Sequence, residues 1–258
     1  MPATTHDPLL GMIVPPAEGR VPPEAEALRP QGVRLCARGL GLQALTLEDY
    51  ATAIERVEEL ARQLKDHDGA TAIALMGTSL SFFRGRAFND ELNRVMRAAT
   101  GLPSVTMSDA IRDALGAVGA RRIAIGTAYT DAVNARLQGF VEDCGFEVLA
   151  IRSLGLTEVP DIHAVSEDRV AELGHEAAQA AGGRADAVLI SCGGLAALNL
   201  APRLEGVLGI PVIASATAGV WAALRLVGVE CRHPALGRLA RAADSADDGA
   251  ARAPATGT

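Results

Sequence analysis

Apolar residues are grouped along the chain into short, nearly unbroken runs, separated by longer stretches in which apolar positions recur every three or four residues. An unbroken run suits a strand buried on both faces, and the longer period is that of a helix lying on a sheet. Read this way, strands fall at residues 9–14, 33–37, 70–76, 104–107, 122–126, 146–152, 187–191 and 211–214. The stretch 47–65 puts Tyr50, Ile54, Val57, Leu60, Ala61 and Leu64 on one face, with Thr46 and Asp49 spaced as a capping box, and is read as an amphipathic helix. Strands alternating with helices make the class α/β with parallel sheets, and eight strands suit two sheets of four.

The two halves share a grammar. Gly101-Leu-Pro-Ser-Val-Thr-Met107 leads into a helix ending near Gly119, and Gly209-Ile-Pro-Val-Ile-Ala-Ser215 leads into one ending near Gly228. Upstream of each lies an apolar strand that ends in small residues, Ile73 to Ser79 in the first half and Val188 to Gly194 in the second. The expected architecture is two pseudo-symmetric Rossmann-like lobes. Residues 1–117 with 216–240 form one and 118–215 the other. Lobes of this kind hold ligands between the carboxyl ends of their strands, so both small-residue loops are expected to face one cleft. From about Arg241 the chain turns to Ala, Asp, Gly, Pro and Thr without a large apolar side chain; 241–258 is read as a disordered tail, because nothing there offsets the entropy of ordering it.

Composition narrows the function. With 49% hydrophobic and 21% charged residues, the chain is neither fibrous nor intrinsically disordered. A net charge of -7, from 24 basic against 31 acidic residues, offers no basic stripe, so nucleic acid is not an expected partner. No apolar run approaches the ~20 residues that cross a bilayer. The first eight residues contain no Lys or Arg leading into an apolar core, so no signal peptide is read and a cytoplasmic location is expected. The four cysteines form no C-x-x-C pair and the five histidines no i, i+4 pair, so neither a disulfide framework nor a metal site is read.

Cys192 follows an apolar strand and precedes Gly193-Gly194, whose glycines permit unusual dihedrals and let a substrate approach the backbone. That setting suits an active-site elbow; it equally suits a buried cysteine acting as a small hydrophobe. In the partner loop Gly77-Thr78-Ser79, two hydroxyls and several backbone N–H groups can grip a carboxylate, or Thr78 or Ser79 can simply cap the next helix. Tyr129, one of two tyrosines, stands where the second lobe's first strand opens into its helix; it is either a ligand donor or a ring packed at a strand end with its hydroxyl in water. Gly39-Leu-Gly41-Leu-Gln-Ala44 matches the dinucleotide fingerprint, but it follows a second strand, and the nearest acids, Glu58 and Glu59, fall inside a helix, so NAD is not expected.

At these positions the sequence resembles the aspartate/glutamate racemase superfamily, and within it the arylmalonate decarboxylases. The likeness runs through Gly11-Met-Ile-Val-Pro-Pro16, Gly39-Leu-Gly-Leu42, Met76-Gly-Thr-Ser-Leu-Ser-Phe82, Gly101-Leu-Pro103, Ala128-Tyr129, Arg152-Ser-Leu-Gly155 and Ser191-Cys-Gly-Gly-Leu195, and on to Arg225. The resemblance implies an enzyme that needs no cofactor and no metal and acts on a small-molecule carboxylate in the cleft; a monomer is expected. Racemases of this superfamily carry a cysteine in each lobe; here Gly77 stands in the first lobe's place and Cys192 alone remains, which is the decarboxylase pattern. By the same resemblance Thr78, Ser79, Tyr129 and the backbone at Cys192 and Gly193 bind the retained carboxylate. Pro15, Leu42, Leu45, Val159 and Ile162 form an apolar pocket for the departing one. Two other readings are carried forward. One is a racemase or isomerase of a small acid, of the maleate isomerase or Asp/Glu racemase type; the other is a protein that closes on an anion without reacting.

Overall fold

Each apolar run becomes a parallel strand, and the two least buried strands are both edge strands. The computed structural model describes residues 7–42 and 55–242. β1 (Leu9–Val14), β3 (Ala72–Leu75), β5 (Arg122–Thr127) and β7 (Ala187–Ser191) are buried along almost their whole length. β2 (Arg34–Gly39) and β6 (Glu147–Ser153), which carry the polar residues, are only partly covered and sit at the edges. With β4 (Ser104–Thr106) and β8 (Val212–Ala214) they form two four-stranded parallel sheets, ordered β2-β1-β3-β4 and β6-β5-β7-β8. The two orders are the same, so the duplication read from the sequence is present in the fold. All eight expected strands occur, with ends displaced by at most two residues.

The recurring Gly-x-Pro has a local cause. Gly101 and Gly209 end the preceding helices, α4 (Arg86–Thr100) and α9 (Leu200–Leu208), in the left-handed conformation at φ 68° and 71°, which glycine adopts without penalty. The chain then turns directly into β4 and β8. The helices that follow, α5 (Met107–Ala117) and α10 (Ser215–Leu226), pack against each other and join the two lobes, and α10 also lies on β3 and β4. Of the helix expected at 47–65, the described part is α2 (Glu55–Asp66); Tyr50, Ile54 and Leu45 lie outside the described residues. Among the described residues no helix is long and apolar enough to cross a membrane. The remaining helices are α1 (Pro23–Leu28), α3 (Thr78–Phe82), α6 (Asp131–Asp143), α7 (Val159–His163) and α8 (Glu167–Ala180).

In each sheet the strand order reverses once, between β1 and β3 and between β5 and β7. Loops leaving the carboxyl ends of two such strands diverge to opposite faces and leave a crevice, the usual ligand position in open parallel sheets. Here the four loops are those at Pro15, Gly77, Tyr129 and Cys192.

Candidate active site

The two crevices open into one cavity of about 670 Å³ between the lobes. Its walls include Cys192, Gly193, Gly77, Thr78, Ser79, Tyr129, Pro15, Leu42, Val159 and Ile162, every candidate that falls within the described residues; Leu45 lies outside them. Cys36, Cys144 and Cys231 are not among the lining residues, so Cys192 is the thiol of the cavity among the described residues.

Cys192 is buried, 6% exposed, and its backbone sits at φ 148°, the sole non-glycine among the described residues with positive φ. The unusual dihedral expected of Gly193-Gly194 belongs instead to the cysteine, and neither glycine enters the left-handed region. A side chain held there costs on the order of 1–3 kcal/mol and persists when its surroundings over-determine it. Removal from water pushes the thiol up to about 11, against smaller opposing effects from the Gly194 and Leu195 N–H groups and the Tyr129 hydroxyl, which reach the sulfur. At neutral pH the sulfur therefore keeps its proton, more firmly than an exposed thiol would.

The opposing loop is fixed from beneath. The Ser81 hydroxyl lies 3.0 Å from the Gly77 carbonyl and 2.9 Å from that of Thr78, and it accepts the Ser108 N–H at 3.2 Å. Thr78 is the first residue of α3, whose N-cap is Gly77, so neither Thr78 nor Ser79 stands at the capping position. The Thr78 hydroxyl is buried without a hydrogen-bond partner among the described residues, and it faces the other lobe: a Cβ built on Gly193 would stand 3.5 Å from it. Buried hydroxyls seldom lack partners, and the cavity leaves room for a ligand oxygen to supply one. Gly77 has φ -118°, open to any residue, so its lack of a side chain keeps the cavity wide and meets no backbone demand.

Tyr129 is 1% exposed, which removes the reading with its hydroxyl in water. Its ring meets Phe82 of the opposite lobe edge-on, with centroids 5.8 Å apart, and its hydroxyl reaches the Cys192 sulfur. Ile162 and His163 of α7 lie against the turn after Cys192, 3.1 Å from a Cβ built on Gly194. Pro15, Leu42, Val159 and Ile162 are the aliphatic candidates among the lining residues.

Four charged or titratable lining residues escaped the sequence reading: Glu18, Arg20, Glu24 and His163. Glu24 is the unusual one, a buried carboxyl held above the ordinary carboxylate range by loss of solvent, with its own N–H and that of Ala197 opposing the shift. The signal that locates three of them was available, because residues 15–24 leave the carboxyl end of β1 and must therefore border the cleft. At the dinucleotide-like Gly39 to Leu42, a Cβ on Gly39 would collide with the carbonyls of Pro16 and Ala17; this glycine admits the chain's own backbone. Among the described residues no three His, Cys, Asp or Glu side chains gather as a metal site would require.

The comparisons with known proteins agree with this geometry. The family model described as arylmalonate decarboxylase matches residues 10–240. An arylmalonate decarboxylase from Bordetella bronchiseptica is 46% identical over 233 residues, which are 90% of this chain and 96% of that protein. A crystal structure of unliganded arylmalonate decarboxylase superposes with a TM-score of 0.81 at 45% identity, covering 90% of this chain and 98% of that one. The maleate isomerase of Pseudomonas putida S16, solved with maleate, has a TM-score of 0.84 over 92% of this chain and 98% of its own, but at 21% identity it shares the fold alone.

Proposed function

The chain belongs to the arylmalonate decarboxylase family, and on that premise we propose that it releases CO₂ from an α-aryl or alkenyl malonate, with Cys192 supplying the proton that replaces the lost carboxylate. It is a carboxy-lyase. The observation that carries the residue assignment is the buried, protonated thiol of Cys192 in a cavity whose opposite wall, at Gly77, has no second thiol.

In this reading Thr78, Ser79, Tyr129 and the backbone of Cys192 and Gly193 hold the retained carboxylate. The second carboxylate rests against Pro15, Leu42, Val159 and Ile162. There it has lost hydration that aliphatic groups cannot replace, whereas CO₂, being neutral, suffers no such loss, so breaking the C–C bond relieves the ground state. The bonding pair passes into the retained carboxylate and makes an enediolate with a second negative charge. Donors already aimed at those two oxygens bind it more strongly than the malonate. The enediolate carbon then takes the proton of Cys192, leaving a thiolate that solvent reprotonates before the next turnover. A carbanionic carbon is far more basic than a thiolate with a conjugate acid near 11, so the transfer runs downhill.

No second catalytic group or cofactor enters this sequence of steps. The alternative of a two-base racemase or isomerase needs an acid or base on the Gly77 side, and the binding-protein alternative needs no thiol at all. One assay separates the three: purified protein is incubated with phenylmalonate and with its α-methyl analogue, CO₂ release is followed, and the 2-phenylpropionate formed from the analogue is resolved on a chiral column. Turnover to a single enantiomer is expected, and absence of turnover with both compounds would refute the substrate class.

A further inference from the structure

The turn that carries Tyr129 is closed by two side chains that do not line the cavity. The Tyr129 N–H donates to the Thr127 hydroxyl at 3.3 Å, that hydroxyl donates to Asn134 Oδ1 at 2.7 Å, and Asn134 Nδ2 donates back to the Tyr129 carbonyl at 3.4 Å. Thr127 is the last residue of β5 and Asn134 lies in the first turns of α6, so the ring of hydrogen bonds ties strand, turn and helix into one unit. All three residues are buried. The neighbouring carbonyls of Thr127 and Ala128 are taken as well, by the N–H groups of Leu154 and Leu156 at 3.0 and 2.7 Å. The other lobe has a like arrangement at the end of β4: Thr106 donates to Asn89 Oδ1 at 2.5 Å, Asn89 donates to Asp109 at 2.8 Å, and the Asp109 N–H returns to Thr106 at 3.1 Å. There the ring closes on a helix start. In the second lobe it closes on a residue whose own side chain enters the cavity and reaches the Cys192 sulfur.

We propose that Thr127 and Asn134 are positioning residues that aim the Tyr129 hydroxyl, setting its place relative to the Cys192 sulfur and the bound carboxylate. The inference rests on the reading of Tyr129 as a carboxylate donor, and it adds a cause for that donor's placement. A phenol on two rotatable bonds does not by itself point at one spot. Here its backbone is fixed at both the N–H and the carbonyl, and its ring leans on Phe82. Preorganised donors lose their advantage when they must reorient during the reaction.

Thr127→Val keeps the side-chain shape and removes the hydroxyl, Thr127→Ser retains it, and Asn134→Asp removes the donor to the Tyr129 carbonyl. With only two tyrosines in the sequence, incorporation of 3-fluorotyrosine into a Tyr50→Phe background leaves the fluorine signal of Tyr129 alone. That signal should shift or broaden in Thr127→Val and in Asn134→Asp and return to its original place in Thr127→Ser. An unchanged signal in either folded variant would overturn the proposal. With phenylmalonate, Thr127→Val should lower kcat roughly 10- to 10²-fold, the scale of a small misplacement, with a smaller change in KM. In a Tyr129→Phe background the same substitution should add little. An equal loss in both backgrounds would show a role in folding alone and overturn the proposal. If Tyr129→Phe by itself leaves kcat unchanged, the carboxylate role of Tyr129 falls, and the fluorine signal still decides whether Thr127 and Asn134 set its position.

Discussion

Gly77→Cys puts a second thiol on the wall facing Cys192, and the structure sets both its effect on stability and its rate. At φ -118° the backbone accepts a side chain. The new Cβ would lie 3.2 Å from Leu80 Cβ, 3.3 Å from Leu80 Cδ2 and 3.6 Å from Pro15 Cγ, close enough that Leu80 must give by a few tenths of an ångström. Overpacking of that size destabilises by about 1 kcal/mol, or about 2–4 °C in Tm for a protein of this length. The variant folds. Cys192 delivers its proton to one face of the enediolate, so the enantiomer made by the unaltered protein carries its α-hydrogen on the Cys192 side. Taking that hydrogen back requires the Cys192 thiolate. With the thiol near 11, the thiolate amounts to about one part in 10⁴ at pH 7 and one part in 10² at pH 9. The unaltered protein should therefore exchange that hydrogen slowly and without racemisation, faster by about tenfold per pH unit up to about pH 10. In Gly77→Cys the opposite thiol protonates the other face, and the same pH dependence should appear as racemisation. Deuterium incorporation from D₂O into each enantiomer of a 2-arylpropionate, followed by NMR and chiral chromatography between pH 7 and 10, measures both. A folded variant that exchanges only the enantiomer exchanged by the unaltered protein, and does not racemise it, would show that Gly77 does not face Cys192 across the substrate. Exchange independent of pH would refute the raised thiol.

Removal of single donors should separate the two halves of the site. Ser79→Ala and Tyr129→Phe are each expected to lower kcat by roughly 10²–10³-fold with a smaller effect on KM, and steady-state kinetics showing a change in KM alone would mean that the group binds substrate and transition state equally. Val159→Thr adds one hydroxyl to the aliphatic wall and gives the departing carboxylate a hydrogen bond of about 1.5 kcal/mol, so kcat and KM should both fall, by up to roughly tenfold. A rise in kcat would contradict ground-state desolvation as the driving effect. CO₂ release should show no loss from deprotonation of Cys192 as pH rises from 7 to 9, because the proton donor is lost only near 11; a kcat falling with an apparent pKa near 8.5 would mean that the thiol is not desolvated during turnover.

The sheets were legible because burial on both faces forces unbroken apolar runs, as in Ala187–Ser191, where expected and observed ends coincide. The site loops were legible for a second reason: small residues directly after such runs must lie at the carboxyl ends of parallel strands, where Gly77, Tyr129 and Cys192 are found. Properties set by several segments at once were not. The positive φ of Cys192 passed for a property of the glycines after it, since a sequence records which residues tolerate that dihedral and not which one adopts it. The degree to which its thiol is held protonated depends on desolvation by two lobes and on a tyrosine more than sixty positions away. The charged residues of the 15–24 loop were passed over because Glu24 reads as one more acid in a proline-rich connection until the fold buries it beside Ala197.

The central claim is that Cys192 delivers the proton. Cys192→Ala replaces a buried small residue by a slightly smaller one and keeps the Cβ, so the backbone setting at φ 148° is unchanged and circular dichroism and Tm should stay near those of the unaltered protein. Its kcat for CO₂ release from phenylmalonate is expected to fall by roughly 10²–10⁴-fold, the range associated with losing a positioned general acid. A folded Cys192→Ala protein that turns over phenylmalonate at a near-native rate, and still yields one enantiomer of 2-phenylpropionate from the α-methyl analogue, would contradict the account.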